Sequence, residues 1–266
     1  MRKGYRIVKV LRYIAVSFSL YSRVPMPRFS WREEDMSHSL IFFPFVGVLI
    51  GLLIMLLNMP ALMRTCPLAA RVLVTLAIPL FVTGGIHVDG FMDTEDALRS
   101  YASPERKLEI LKDPHIGAFA VIGLIKMLLV FSASTILILM DAERDFSGLM
   151  IFAGIFVMAR CLSGLTSLLY PKAKKEGMLY EETKRYEKSV LIALSAEMLA
   201  AVIFVVGISP RKGIPVLLSL AVCALHYRSY AVREFGGVTG DTAGRFLVVA
   251  ETVSAAALAV CTLIFR

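Results

Sequence analysis

Charge is scarce in this sequence, and so are the residues that build most metal centres and disulfide frameworks. Only 19% of the 266 residues are Asp, Glu, Lys or Arg, where an ordinary soluble domain carries about 25%. With 57% apolar residues and a mean hydropathy of +0.71, that deficit excludes a conventional water-soluble globule. Four cysteines (Cys66, Cys161, Cys223 and Cys261) are scattered without metal-type spacing, and three of them fall inside apolar runs. They read as small hydrophobes rather than disulfides or thiolate ligands. The sequence shows no soluble domain, low-complexity tract or internal repeat. No small-residue cleavage site follows an apolar core near the N-terminus, so a cleaved signal peptide is not expected.

What is abundant is apolar sequence in blocks, at about 40–57, 68–83, 116–140, 146–170, 190–208, 214–225 and 246–265. Most approach the ~20 residues that a helix needs to cross a hydrocarbon core. The pattern predicts an all-α, polytopic integral membrane bundle, with about seven transmembrane helices plus short interfacial ones. It is expected to form a single membrane-embedded domain over 1–266. The net charge of +8 does not point to nucleic acid, because the basic residues fall in alternate loops, as the positive-inside rule requires. One side collects a basic interfacial segment over 1–35 (Arg2, Lys3, Arg6, Lys9 and Arg12 among its charges) and the polar loop over 84–115. It also takes the loop holding Lys172, Lys174, Lys175, Lys184, Arg185 and Lys188, and the one over 228–245. That side is expected to be cytoplasmic, with the N-terminus, in a multi-pass protein of the cell membrane.

The most distinctive stretch is Gly84-Gly85-Ile86-His87-Val88-Asp89-Gly90-Phe91-Met92-Asp93-Thr94-Glu95-Asp96, which follows directly on an apolar run. If Gly90 onward is helical, Asp89, Asp93 and Asp96 recur at i, i+4 and i+7 on one face. Carboxylates stacked this way repel one another and require a compensating cation. Mg2+, which prefers carboxylate oxygens and keeps waters for a phosphate, suits them. The plain alternative is an acidic, solvated helix start. The two glycines are expected to break the helix near the interface, leaving the cluster at a membrane mouth. A second break over 236–244 carries Gly240 and Asp241 on the same side.

Other charges have two readings each. Arg23, in an extended Pro-x-Pro piece after a helix end, suits lipid headgroups or an anionic substrate. Ser103-Pro104 starts a second short helix that carries Glu105, Glu109 and Asp113, with Lys112 beside them and Pro114 ending it. Arg160 lies deep in an apolar run, where it must face protein, water or an anion. Lys126 is a lone intramembrane lysine that either snorkels or finds an internal partner.

Three functions compete on these residues. In a metal-dependent phosphotransferase, carboxylates hold Mg2+ against a diphosphate while basic groups neutralise the leaving nucleotide. A secondary transporter would place broken helices and charges near the midplane and show inverted repeats, which are not visible here. A structural subunit leaves two Gly-Gly breaks, each followed by Asp on the same side, without a purpose.

A family resemblance narrows the choice. The run from Thr83 to Ala97 resembles the Gly-Gly-x-His-x-Asp-Gly-x-x-Asp-Thr-x-Asp signature of the adenosylcobinamide-GDP ribazoletransferase (cobalamin synthase) family. Phe18 to Pro27 resembles the family's Phe-x-Thr-Arg-x-Pro-x-Pro, with Ser22 in the Thr place. Leu111 to Phe119 is similar to its Met-Lys-Asp-Ser-x-Ile-Gly segment, and Gly236 to Thr242 to its Gly-Gly-x-Thr-Gly-Asp motif. The matches run from about residue 18 to 251. There are departures. Arg245 follows Gly244, Val248 stands where the first of two late carboxylates is expected, and only Glu251 remains. Glu95 and Ala97 occupy positions where variation is expected.

The resemblance implies a membrane enzyme of cobalamin assembly that requires Mg2+. It would join α-ribazole (or its 5'-phosphate) to adenosylcobinamide-GDP, giving adenosylcobalamin (or its 5'-phosphate) and GMP. CDP-alcohol transferases of lipid synthesis, which also join two alcohols through one phosphate, are the alternative class. Asp89, Asp93 and Asp96 are then the metal ligands, with Asp113 and Asp241 as further ligands or general bases. His87, Arg23, Lys112, Arg160 and Gly240 are the substrate-binding candidates. A homo-oligomer is left open.

Overall fold

The computed structural model describes residues 2–265 apart from Arg64 and Arg185, and side chains from residue 7 onward. The basic groups counted above at Arg2, Lys3, Arg6 and Arg185 therefore lie outside the described side chains. The chain runs through α1 (Arg2–Tyr21), α2 (Glu33–Ser39), a 3-10 turn (Leu40–Phe42), α3 (Phe43–Leu57), α4 (Pro60–Met63) and α5 (Leu68–Thr83). It continues through α6 (Ile86–Arg99), α7 (Pro104–Ile110), α8 (Ala118–Asp141), α9 (Ser147–Leu169), α10 (Met178–Thr183), α11 (Lys188–Ile208), α12 (Pro210–Phe235) and α13 (Gly240–Ile264). Among the described residues there is no β-strand, only a single bridge between Lys172 and Val238.

Among the described residues, six helical stretches are long and apolar enough to cross a membrane, and the bent pair of α5 and α6 brings the total to as many as seven. The chain is thus a multi-pass helical membrane protein, as the hydropathy pattern predicts. Three expectations shift in detail. The first span is continuous from Glu33 to Leu57, starting earlier than its apolar run because the acidic turn of α2 folds back on α1. The sixth run, short in hydropathy, belongs to a 26-residue helix whose last turns carry His226, Arg228 and Arg233. The loop over 84–115 is largely helical.

The centre of the bundle is α9. Its Ile151, Phe152, Ile155, Phe156, Met158 and Ala159 are all buried, and α3, α5, α8, α13, α12 and α11 follow one another around it. Lipid supplies no hydrophobic drive between helices, so close approach by small residues does that job. A Cβ at Gly47 would strike the Phe156 carbonyl, and one at Gly51 would lie 3.0 Å from the Ala153 Cβ. The Gly-x-x-x-Gly of α3 therefore seats it on α9.

Buried cations fix the other contacts. Lys212 donates to Asp141 at 2.8 Å and Asp145 at 2.7 Å, which explains why the 141–145 loop is acidic. Arg71 reaches Glu143 at 2.6 Å. Lys126 is exposed on α8 and makes no ion pair among the described residues. Arg160, 1% exposed, donates to Glu251 at 2.7 Å and to the Phe156 carbonyl at 2.9 Å. The intramembrane arginine thus has an internal partner, and the pair ties α9 to α13. Removing one member leaves an uncompensated charge in low dielectric, which costs about 3 kcal/mol. Arg160→Met alone should therefore lower the detergent-solubilised melting temperature sharply, and Arg160→Met with Glu251→Met should recover most of the loss. Additive losses in the double variant would show that the two groups are not coupled.

Candidate active site

The site begins where α5 stops. Gly84 and Gly85 have φ of 66° and 81°, the left-handed region that glycine enters without steric cost. The chain there turns by 91°, so α6 leaves the direction of α5 and packs across α13 and α8. The side chain of Arg23 lies over Gly84 where a Cβ would otherwise stand. Its backbone N–H donates to the Val82 carbonyl at 2.8 Å, satisfying one of the orphan acceptors at the end of α5. The first basic motif and the Gly-Gly break are thus one structural unit.

The second break has the same logic. Gly236 (φ 74°) ends α12 in the left-handed region, and the Val238 N–H donates to the Pro171 carbonyl at 2.7 Å. Thr239 then caps α13: its hydroxyl accepts from the Thr242 N–H at 3.1 Å, while the Thr242 hydroxyl accepts from the Thr239 N–H at 2.8 Å. This reciprocal cap fixes Gly240 and Asp241 as the first helical residues.

The two motifs meet at backbone distance. A Cβ on Gly90 would lie 2.8 Å from the Asp241 Cα, and one on Gly244 would lie 3.0 Å from the His87 carbonyl oxygen. Asp241 therefore joins the acidic face of α6. Burial, then repulsion from Asp89, Asp241 and Asp96, pushes the Asp93 carboxyl up to about 6. The carboxylates are close enough to disfavour one another's charge, although among the described residues no three acidic, His or Cys groups already converge on one metal position. Their oxygen-only chemistry fits a hard divalent ion.

The other expected residues fall into distinct places. Asp96 faces α8: its Oδ2 accepts from the Gly117 N–H at 2.7 Å and its Oδ1 from the Ala120 N–H at 2.8 Å. It caps that helix from outside, and Gly117 is required because a Cβ there would meet the same carboxylate at 2.5 Å. Asp113 is exposed and held by His115, 2.6 Å from its Nδ1; it is not brought into the cluster. Lys112 pairs with Glu176 at 3.1 Å, with both groups exposed. Arg160 is committed to Glu251. His87 lies against the rings of Phe43 and Tyr21 at 5.7 and 6.5 Å, and its buried Nε2 has no partner.

Three cavities open on the cluster. An inner one of about 120 Å³ includes Tyr21, Phe43, His87, Asp89, Glu182 and Asp241 in its lining. An outer cleft of about 640 Å³ passes Ser22, Arg23, Gly84, Gly85 and Asp89. A third of about 240 Å³ is lined by Lys172, Lys174, Glu176, Gly240 and Asp241. Asp89 is shared by the first two, and Gly240 and Asp241 by the first and third. Burial and the neighbouring Lys112 hold the Lys174 amine below its usual range, while Asp241 and Glu176 pull it back up.

Sequence reasoning counted Lys172 and Lys174 only as loop charge and passed over Glu182. The Lys172–Val238 bridge that brings the lysines to the motif has no local signal. Glu95, expected to be variable, is buried and accepts from Arg245 at 2.8 Å. The departure at Arg245 is thus matched by a carboxylate on α6.

This arrangement can bind an anionic group between carboxylates and cations at a membrane mouth. The family described as cobalamin-5-phosphate synthase matches residues 13–259. A Lachnoclostridium phytofermentans protein named adenosylcobinamide-GDP ribazoletransferase is 35% identical over 256 residues, covering 95% of each chain. A Pseudomonas fluorescens protein of the same name is 35% identical over 93% of this chain and 98% of its own. One from Clostridium perfringens is 30% identical over 90% and 93%. No solved structure matches. A match over nearly the whole chain, through every element that builds the site, places the chain in the cobalamin-5-phosphate synthase family.

Proposed function

We propose that the protein joins adenosylcobinamide-GDP to α-ribazole, or to its 5'-phosphate, with release of GMP. The observation that carries this reading is the contact of Gly90 with Asp241, which sets two acidic motifs around one point with cations on either side. A hydroxyl oxygen of the acceptor attacks the cobinamide-side phosphorus of the diphosphate. The bond from that phosphorus to the bridging oxygen breaks, and GMP leaves with its electron pair. The hydroxyl proton passes to a carboxylate of the cluster, Asp241 in this reading.

Asp89 and Asp93 would hold Mg2+, with Asp96 orienting α8 beside them and Asp241 free to take the proton. When bound, the ion offsets the charge that builds on the diphosphate oxygens. Arg23 and Lys174, in separate clefts that both reach the cluster, suit the two ends of a dianionic donor. The distribution of basic loops supports a cytoplasmic position for this face, where the donor nucleotide is available.

Asp93→Asn should lower Mg2+-dependent GMP release by roughly a hundredfold or more with the melting temperature unchanged; near-normal turnover would remove Asp93 from the metal set. Asp96→Ala should instead cost about 1 kcal/mol of stability through the lost cap, seen in thermal unfolding. Because protons compete with a metal for Asp93, the Mg2+ concentration needed for half-maximal binding should rise as pH falls through about 6. Calorimetric titration at several pH values measures this. For topology, Lys175→Cys in a Cys66→Ser background should react with an impermeant thiol reagent only from the cytoplasmic side.

A further inference from the structure

The inner cavity contains a buried acid that neither the metal nor the phosphate reading employs. Glu182, on α10, is 0% exposed. Its oxygens are held one at a time: Oε2 accepts from the Tyr21 hydroxyl at 2.6 Å and Oε1 from the Ser39 hydroxyl at 3.0 Å. No cation pairs with it among the described residues, and burial pushes its carboxyl up to about 7. Two hydroxyl donors leave each oxygen with a free lone pair.

A buried acid without a counter-charge is costly unless hydrogen bonds satisfy it, and simple packing would be served better by an apolar residue. The same cavity contains the unpartnered Nε2 of His87. Its mouth carries Asp89 and Asp241, its walls include Tyr21, Phe43 and Leu247, and none of its lining residues is Lys or Arg. The cations near the cluster lie in the other two clefts, Arg23 in one and Lys172 and Lys174 in the other. A phosphate group in the inner cavity would face the carboxylates of Asp89, Glu182 and Asp241 with no lysine or arginine in the lining to offset them. A ring that offers hydroxyl donors would find an acceptor at the far end and aromatic faces along the sides.

We infer that the inner cavity takes the ribose of the acceptor alcohol, with Glu182 accepting a hydrogen bond from a ribose hydroxyl other than the one that attacks. This placement rests on the transferase reading above and gives one of its substrates an address. Glu182 then acts as a positioning residue. It orients the ring so that the attacking oxygen points out toward Asp89 and Asp241, while the anionic donor occupies the cationic clefts. Tyr21 holds Glu182 and stacks near His87, coupling the end of α1 to the same pocket.

The test uses the full-length protein in lipid nanodiscs, with GMP release followed while adenosylcobinamide-GDP and α-ribazole are varied separately. Deoxy analogues of α-ribazole, each lacking one non-reacting hydroxyl, are run beside it. The wild type should show a KM roughly tenfold or more higher for one of the analogues. Glu182→Gln should raise the KM for α-ribazole by a similar factor, leave the donor KM within about twofold, and abolish the discrimination between α-ribazole and that analogue. Equal rises in both KM values, or a wild type that treats every analogue like α-ribazole, would overturn the assignment. If the variant does not insert, the wild-type comparison decides alone. A wild type that releases no GMP counts against the transferase reading itself. Equilibrium binding of α-ribazole, with the deoxy analogues as competitors, then reads the cavity directly, and competition at equal strength would overturn the pocket as well.

Discussion

Everything at the mouth of this bundle depends on two helices touching without side chains between them. Gly90 of α6 meets the Asp241 backbone, and Gly244 of α13 meets the His87 carbonyl. Any Cβ at either glycine would push α6 outward and separate the acidic motif from Asp241. The contact is unfavourable electrostatically, since it gathers Asp89, Asp93, Asp96 and Asp241 into one region, and the raised Asp93 carboxyl reflects first its burial and then repulsion from the other three. It survives because other interactions hold the helices from the flanks. Glu95 on α6 pairs with Arg245 on α13, and Arg245 also stacks over Tyr230 at 4.6 Å. The pair lies one turn from the carboxylate cluster and supplies the attraction that the cluster lacks.

Helix ends share the remaining cost. Asp96 faces the N-terminus of α8 and Asp241 occupies the first turn of α13, where free N–H groups and the helix dipole favour negative charge. Two of the four carboxylates are therefore steadied by backbone, leaving Asp89 and Asp93 as the least compensated. That division follows from geometry and not from residue type. It also gives the i, i+4, i+7 series different jobs along one helix: Asp89 lines two of the clefts, Asp93 lies among the other carboxylates, and Asp96 anchors the neighbouring helix.

Much of this was legible in the sequence, for definite reasons. Spans were readable because a bilayer imposes length and apolarity on them. Gly84-Gly85 and Gly236-Gly237 were readable as breaks because left-handed backbone has few other sources. The acidic face of α6 followed from helical spacing, and the family motifs followed from order along the chain. What could not be read was partnership across the bundle. Arg160 was an open intramembrane charge until Glu251, ninety-one positions away, supplied its partner. Asp113, within a matching motif, lies apart because α7 ends at Ile110 and the chain beyond it runs out to the exposed His115. Asp96 keeps helical phase with Asp89, yet spends both oxygens on α8 because the turn at Gly117 brings two free N–H groups to it. Glu182 had no signal at all, since nothing local marks a buried acid in a basic loop.

The distribution of charge among the three cavities follows from the same architecture. Among the described residues, the cations lining the clefts beside the cluster come from the extended piece after α1 and from the loop after α9, both of which lie outside the long apolar helices. The inner cavity is walled by α3, α9 and α13, where a lysine or arginine would need a buried counter-ion, as Arg160 and Lys212 have. Polar groups lining it are the hydroxyls of Tyr21, Ser163 and Ser167, the His87 ring and the buried acid Glu182. A site built at the boundary of a bilayer thus separates into an outer part that carries the cations and an inner part lined without them, with Asp89 and Asp241 on the seam. A reaction that brings a dianionic donor to a hydroxyl-bearing acceptor needs that separation, because each substrate then meets an environment that would reject the other.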